Sequence, residues 1–151
     1  LHVGNLISIL MLRKLQQAGG RPIIVLGGGT TKIGDPSGKD ESRQLLTPEK
    51  IEENKASIGR TFSRFLNFGD GPTDAIMVDN SEWLESLNYI DFLRDYGKSF
   101  TINYMLAKDS VSSRMETGLS FTEFAYSILQ GMDFNHLYQN NLLLFFLTAS
   151  C

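Results

Sequence analysis

The chain has 151 residues, 42% of them hydrophobic, enough for one ordinary globular domain at most. Its net charge of -3 leaves no basic footprint of the kind that by itself announces nucleic-acid binding. A single cysteine, Cys151, excludes an intramolecular disulfide framework and suits a reducing compartment.

In chain order, residues 2 to 18 read as a helix carrying Leu6, Ile9, Leu10 and Leu15, with Gly19-Gly20 as its stop. The sequence opens on Leu1 as if inside a fold, so a preceding strand is expected. No signal-peptide pattern is evident, and the longest apolar run, Leu142 to Leu147, is far short of the roughly 20 residues that span a bilayer. Next comes a strand, Pro22 to Leu26, and then the stretch GGGTTKIGDPSGKDESR over residues 27 to 43. A P-loop needs four residues between its glycine and the Gly-Lys pair, followed by Ser or Thr. Here three residues separate Gly34 from Gly38, and Asp40 follows Lys39. A dinucleotide fingerprint begun at Gly27 requires glycine where Lys32 stands. What remains is a strand ending in a glycine turn, with Asp35 and Lys39 on the loop beyond it. Loops at the carboxyl ends of parallel strands are where ligands sit; a surface turn with solvated charges is an equally open reading.

Thr47-Pro48-Glu49 announces a helix, with Thr as cap and Pro in the first turn, whose buried side carries Ile51, Ile58, Phe62 and Phe65. A second strand, Ala75 to Val78, enters the turn Asp79-Asn80-Ser81 and a short helix around Trp83. Strands alternating with helices predict an α/β fold with parallel strands and flanking helices, and from Tyr89 onward the pattern is helical. Ser120-Phe121-Thr122-Glu123 fits a capping box opening a helix over about 121 to 132. One broad side carries Phe121, Phe124, Ala125, Ile128, Leu129 and Met132; opposite lie Tyr126, Gln130 and Asp133, spaced i, i+4, i+7. That second side either faces water or holds a polar small molecule, for which a phenol, an amide and a carboxylate without lysine are suited.

Four segments in this order resemble a known family: His2-Val3-Gly4-Asn5, Gly34-Asp35-Pro36-Ser37-Gly38-Lys39, Asp79-Asn80-Ser81-Glu82-Trp83, and the run from Phe121 to Phe134. The first is similar to the HIGH signature of class I aminoacyl-tRNA synthetases. Together they resemble the tyrosyl-tRNA synthetases of bacterial or organellar type. The resemblance implies a partial Rossmann-like catalytic domain over residues 1–138, with residues 139–151 a tail outside the family pattern. It implies a ligase that joins tyrosine to ATP as tyrosyl-adenylate and passes it to tRNA(Tyr), with Mg²⁺ carried by the ATP. His2, Gly4 and Asn5 are then ATP-binding, and His2 and Asn5 catalytic. Thr30, Asp35, Asn80, Tyr126, Gln130 and Asp133 are implied to bind tyrosine, Asp133 accepting from its phenol. Lys39 and Arg43 are candidates for phosphate or tRNA contact. A homodimer with Phe121 at its interface and a cytoplasmic, or else mitochondrial, location are also implied.

The strand before His2, the Gly-Ser-Asp-Gln-Trp segment after Tyr138 and the KMSKS loop of the family are not in these 151 residues, so the chain alone is expected to be inactive. Two other readings stand beside this one: a tryptophanyl-tRNA synthetase, and a non-catalytic fragment that binds a partner through apolar surface.

Overall fold

A computed structural model describes residues 3–33, 46–113, 115–116 and 118–140. The first helix, α1 (Val3–Gln17), leads through Gly19, whose φ of 92° ends the helix in the left-handed region that glycine enters without penalty, into β1 (Ile23–Leu26). The glycine-rich turn expected next is a short helix instead, α2 (Gly28–Ile33). It is followed by α3 (Pro48–Phe62) and β2 (Ile76–Asp79). In α3 the cap is the one the sequence predicts, Thr47 Oγ1 accepting from the Lys50 N–H at 3.3 Å with Pro48 in the first turn.

The two strands pair in parallel, with Ile23 opposite Ile76 and Leu26 opposite Asp79. β1 begins one residue after the expected Pro22 and ends at Leu26 as expected, whereas β2 lies one residue further along than the expected Ala75 to Val78. Beyond β2 come the one-turn α4 (Ser81–Leu84), α5 (Tyr89–Asp95), a 3-10 turn at Gly97–Ser99, α6 (Ile102–Leu106), α7 (Asp109–Ser112) and the long α8 (Phe121–Gln139).

The core gathers Ile9 of α1, Ile24 of β1, Phe62 of α3, Leu66 and Ala75, with Leu12, Leu26, Ile58, Phe65, Phe68 and Met77 packed around it. Apolar burial at roughly 25 cal/mol per Å² is what holds the α1 and α3 faces to the sheet. A polar clasp supplements it: Gln16 at the end of α1 donates to the carbonyls of Asn67 at 2.8 Å and Thr73 at 2.9 Å and accepts from the Asn67 N–H at 3.0 Å. Of the positions expected on the buried side of α3, Ile51 and Phe62 are buried and Ile58 and Phe65 half-buried; of the apolar residues of α1, Ile9 is buried and Leu6, Leu10 and Leu15 are exposed.

Helix α8 continues seven residues past the expected end at 132. Its burial stripe explains the extension, since Ile128 and Met132 are followed by Leu137, only 2% exposed. On the expected apolar side Phe121 is exposed, with Phe124, Ala125 and Leu129 half-buried. The opposite side is not a solvent face throughout: Tyr126 and Asp133 are half-buried, and Gln130 is exposed.

Candidate functional site

The parallel register brings the carboxyl ends of β1 and β2 together, and the Asn80 N–H donates to the Leu26 carbonyl at 2.9 Å just past the last pair. The two residues that close β2 therefore meet the first two amides of α2. The Gly28 N–H donates to Asp79 Oδ1 at 3.1 Å, and the Gly29 N–H donates to Asn80 Oδ1 at 2.9 Å. Glycine is required at 28, because a Cβ there would collide with the Asp79 carboxylate.

Asn80 is 1% exposed, so its amide must find all its partners inside the protein. With Oδ1 taken by the Gly29 N–H, the amide has one orientation, and Nδ2 faces Thr30 Oγ1 at 3.2 Å and Asp133 Oδ2 at 3.1 Å. The other oxygen of Asp133 accepts from the Trp83 indole N–H at 2.8 Å. Trp83, buried in α4, lies flat against His136, one turn beyond Asp133 on α8, with ring centroids 4.3 Å apart and an interplanar angle of 12°. Three elements thus converge on one carboxylate. Burial pushes the Asp133 carboxyl above the ordinary aspartate range, and the Asn80 and Trp83 hydrogen bonds and the neighbouring His136 offset that only in part. Each oxygen spends one lone pair on its donor and keeps another, so Asp133 is a pre-oriented acceptor for an O–H or N–H.

On the other side of β2, Asp79 Oδ1 also accepts from the Ser81 N–H at 3.0 Å, while Oδ2 pairs with the Lys55 ammonium of α3. Lys55 pairs in addition with Glu52 at 2.6 Å. Burial alone would raise the Asp79 carboxyl, but Lys55 and the Ser81 hydrogen bonds outweigh it and hold it below the ordinary range. The hydrogen bonds to Asp79 and then Glu52 raise Lys55 correspondingly.

Of the residues singled out from the sequence, Thr30, Asn80 and Asp133 form one hydrogen-bonded group. Tyr126 and Gln130 stand on the same helix as Asp133, two turns and one turn earlier. Asn5 is buried in the first turn of α1, which also contains Gly4. His2, Asp35, Lys39 and Arg43 lie outside the described residues. Sequence reasoning missed the donor role of Trp83, the His136 stack and the Lys55–Asp79 pair. No single-position pattern signals them, since each joins segments tens of residues apart. Among the described residues no group of His, Cys, Asp and Glu is arranged to hold a metal ion, and no helix is long and apolar enough to cross a membrane.

Residues 1–146 match the family model described as tRNA synthetases class I (W and Y). A tyrosine–tRNA ligase of Beijerinckia indica subsp. indica is 57% identical over 141 residues, which cover 92% of this chain and 34% of that protein. One of Zymomonas mobilis subsp. mobilis is 60% identical over 139 residues, covering 91% and 34%. Among solved structures, a C-terminally truncated Aspergillus nidulans mitochondrial tyrosyl-tRNA synthetase superposes with a TM-score of 0.77 at 28% identity, covering 93% of this chain and 42% of that one. The chain spans about a third of the length of the curated relatives it matches.

Proposed function

We propose, from the premise that this chain belongs to the class I tRNA synthetases (W and Y), that it supplies the amino-acid pocket and part of the ATP site of a tyrosine–tRNA ligase. The observation that carries this reading is the Asp133 carboxylate, half-buried beyond the strand ends and held by Asn80 and Trp83 with acceptor capacity to spare. An indole N–H would suit such an acceptor as well as a phenol does. The choice of tyrosine over tryptophan leans on the names of the relatives.

In the proposed reaction the tyrosine carboxylate attacks the α-phosphorus of ATP. A carboxyl O–P bond forms, the bond to the bridging oxygen breaks, and pyrophosphate leaves. A terminal ribose hydroxyl of tRNA(Tyr) then takes the tyrosyl group and AMP departs. No covalent enzyme intermediate is needed, so the protein's contribution is alignment and stabilisation of charge at phosphorus. His2, which precedes α1 in the sequence, and Gly4 and Asn5 in its first turn are assigned to the ATP phosphates and nucleotide, since the free amides of a helix N-terminus favour anions. Mg²⁺ arrives with the ATP.

Asp35, Tyr126 and Gln130 are assigned to the α-ammonium of tyrosine and Asp133 to its phenol, with Thr30 and Asn80 behind Asp133. Lys39 and Arg43 are kept for phosphate or tRNA. A homodimer is proposed in which the exposed Phe121, with Ile102 and Tyr104, 64% and 62% exposed, is covered by a second copy. Residues 1–138 are proposed as the catalytic portion and 139–151 as a tail, most of which lies outside the described residues. The bacterial relatives favour a cytoplasmic location; the fungal mitochondrial neighbour makes the matrix the second reading.

The test is calorimetric titration of the segment, carried in the frame of a full-length relative, with tyrosine, phenylalanine and tryptophan. Binding of tyrosine alone is expected. Preference for tryptophan, or no binding of any of the three, would contradict the proposal.

A further inference from the structure

We propose that Lys55 and Asp79 are positioning residues that set the orientation of the Asp133 carboxylate from the far side of β2, without touching it. The proposal rests on the reading of Asp133 as the amino-acid acceptor.

The connection can be followed bond by bond. Asp79 Oδ1 ties the amide just before Gly29 to the amide just after Asn80, since it accepts from both Gly28 and Ser81. Those two bonds flank the Gly29–Asn80 contact, which, with the Asp133 carboxylate on the other end, fixes which end of the Asn80 amide is the donor. Asn80 Nδ2 then holds Asp133 Oδ2, and the same α4 turn that starts at Ser81 carries Trp83 to Asp133 Oδ1. Lys55 holds the second oxygen of Asp79 from α3, so the carboxylate cannot rotate away from the two amides.

The pair joins the buried Asp79 to the half-buried Lys55, and stability alone explains it poorly, because desolvation of the aspartate offsets much of the Coulombic gain. An apolar residue at 79, however, would orphan the Gly28 and Ser81 amides. A carboxylate is the side chain that accepts from both amides through one oxygen while the other is anchored by a cation. Among the described residues Lys55 pairs with Glu52 and Asp79, so its influence on the pocket runs through Asp79.

The experiment compares Lys55→Met, Asp79→Asn and the double variant in the full-length frame. In Asp79→Asn the side-chain NH₂ faces the Lys55 ammonium, donor against donor; in the double variant that conflict is gone and Asn Oδ1 remains free to accept from the amides. Each single variant is expected to raise the tyrosine KM in pyrophosphate exchange about tenfold, the effect of one lost charge-assisted hydrogen bond. The phenylalanine KM, the ATP KM and kcat should stay nearly unchanged, and the double variant should return to within about threefold of the parent. A merely structural pair would lower the melting temperature and leave the tyrosine-to-phenylalanine ratio where it was. That outcome, or a double variant as impaired as both singles combined, would overturn the proposal. Hydrogen exchange without ligand separates its failure from failure of the pocket reading. If the parent lacks tyrosine-dependent exchange, the pocket reading falls, and faster amide exchange over residues 27–31 and 79–84 in Lys55→Met still supports the clamp. Unchanged protection there would overturn it.

Discussion

Replacing Asp133 by asparagine changes almost no volume and converts one acceptor oxygen into a donor, which makes it the most informative single substitution in the site. Both carboxylate oxygens face obligate donors: Trp83 Nε1 at 2.8 Å, and Asn80 Nδ2 at 3.1 Å, whose orientation the Gly29 N–H fixes. Asparagine satisfies one of them and turns its own NH₂ on the other. Its single remaining oxygen must then serve a protein donor and the substrate phenol together. Losing a hydrogen bond to a charged acceptor costs about 1.5–3 kcal/mol, or about 10- to 100-fold in kcat/KM for tyrosine. Phenylalanine has no phenol to lose and is relieved of facing a half-buried charge, so its kcat/KM should hold or rise. The assay is pyrophosphate exchange with each amino acid in the full-length frame. A second background sharpens it: with Trp83→Phe the indole donor is gone, the asparagine oxygen is free to turn wholly to Asn80, and the stability cost of Asp133→Asn should shrink by about 1 kcal/mol or more. Equal losses for tyrosine and phenylalanine, with the same stability cost in both backgrounds, would refute this account of Asp133.

Three further outcomes are expected. His2→Ala should slow adenylate formation in single turnover by about 100-fold, the loss of one transition-state donor, while tyrosine binding by calorimetry changes little. The two aspartates should give stability opposite pH dependence. Asp79, held low by Lys55, stabilises the fold above the ordinary aspartate range and loses that contribution as pH falls through its folded-state pKa. Asp133, raised by burial, contributes fully below its unfolded pKa and loses it as pH rises through the folded one. Urea midpoints between about pH 3 and pH 7 should therefore show a shallower acid-side fall in the Lys55→Met/Asp79→Asn double variant, and in Asp133→Asn no loss as pH rises past about 4. The 151 residues alone should neither exchange pyrophosphate nor charge tRNA, and robust exchange from a monodisperse, cooperatively melting sample would contradict that.

Much of the fold was legible because its signals are local. The runs Ile23–Leu26 and 75–78 are apolar enough to be strands, and Thr47-Pro48 is a cap whose geometry the structure reproduces. Helix α2 was not legible, since Gly27-Gly28-Gly29 by intrinsic preference predicts a turn. It is helical where the amides of Gly28 and Gly29 find acceptors in Asp79 and Asn80, about fifty residues away. The end of α8 was misplaced for a related reason: Asp133, Asn135 and His136 look like a polar exit, yet Asp133 and His136 are turned inward against Trp83 and Leu137 resumes the buried stripe. Within the site, Thr30, Asn80 and Asp133 could be named from the sequence by resemblance, but their mutual hydrogen bonds could not. Lys55 could not be named at all, because on an exposed-looking helix face a lysine three residues from a glutamate resembles an ordinary surface pair.

The central claim is tyrosine activation through a pocket read by Asp133. Amino-acid-dependent ATP–pyrophosphate exchange, measured side by side with tyrosine, phenylalanine and tryptophan on the segment in a full-length frame, tests it most directly. The account predicts exchange with tyrosine, with phenylalanine and tryptophan lower by at least about 10- to 100-fold, because the acceptor capacity that Asp133 has left beside Asn80 and Trp83 is then unmet or mis-met. Exchange that prefers tryptophan, or that fails to separate tyrosine from phenylalanine, would contradict it.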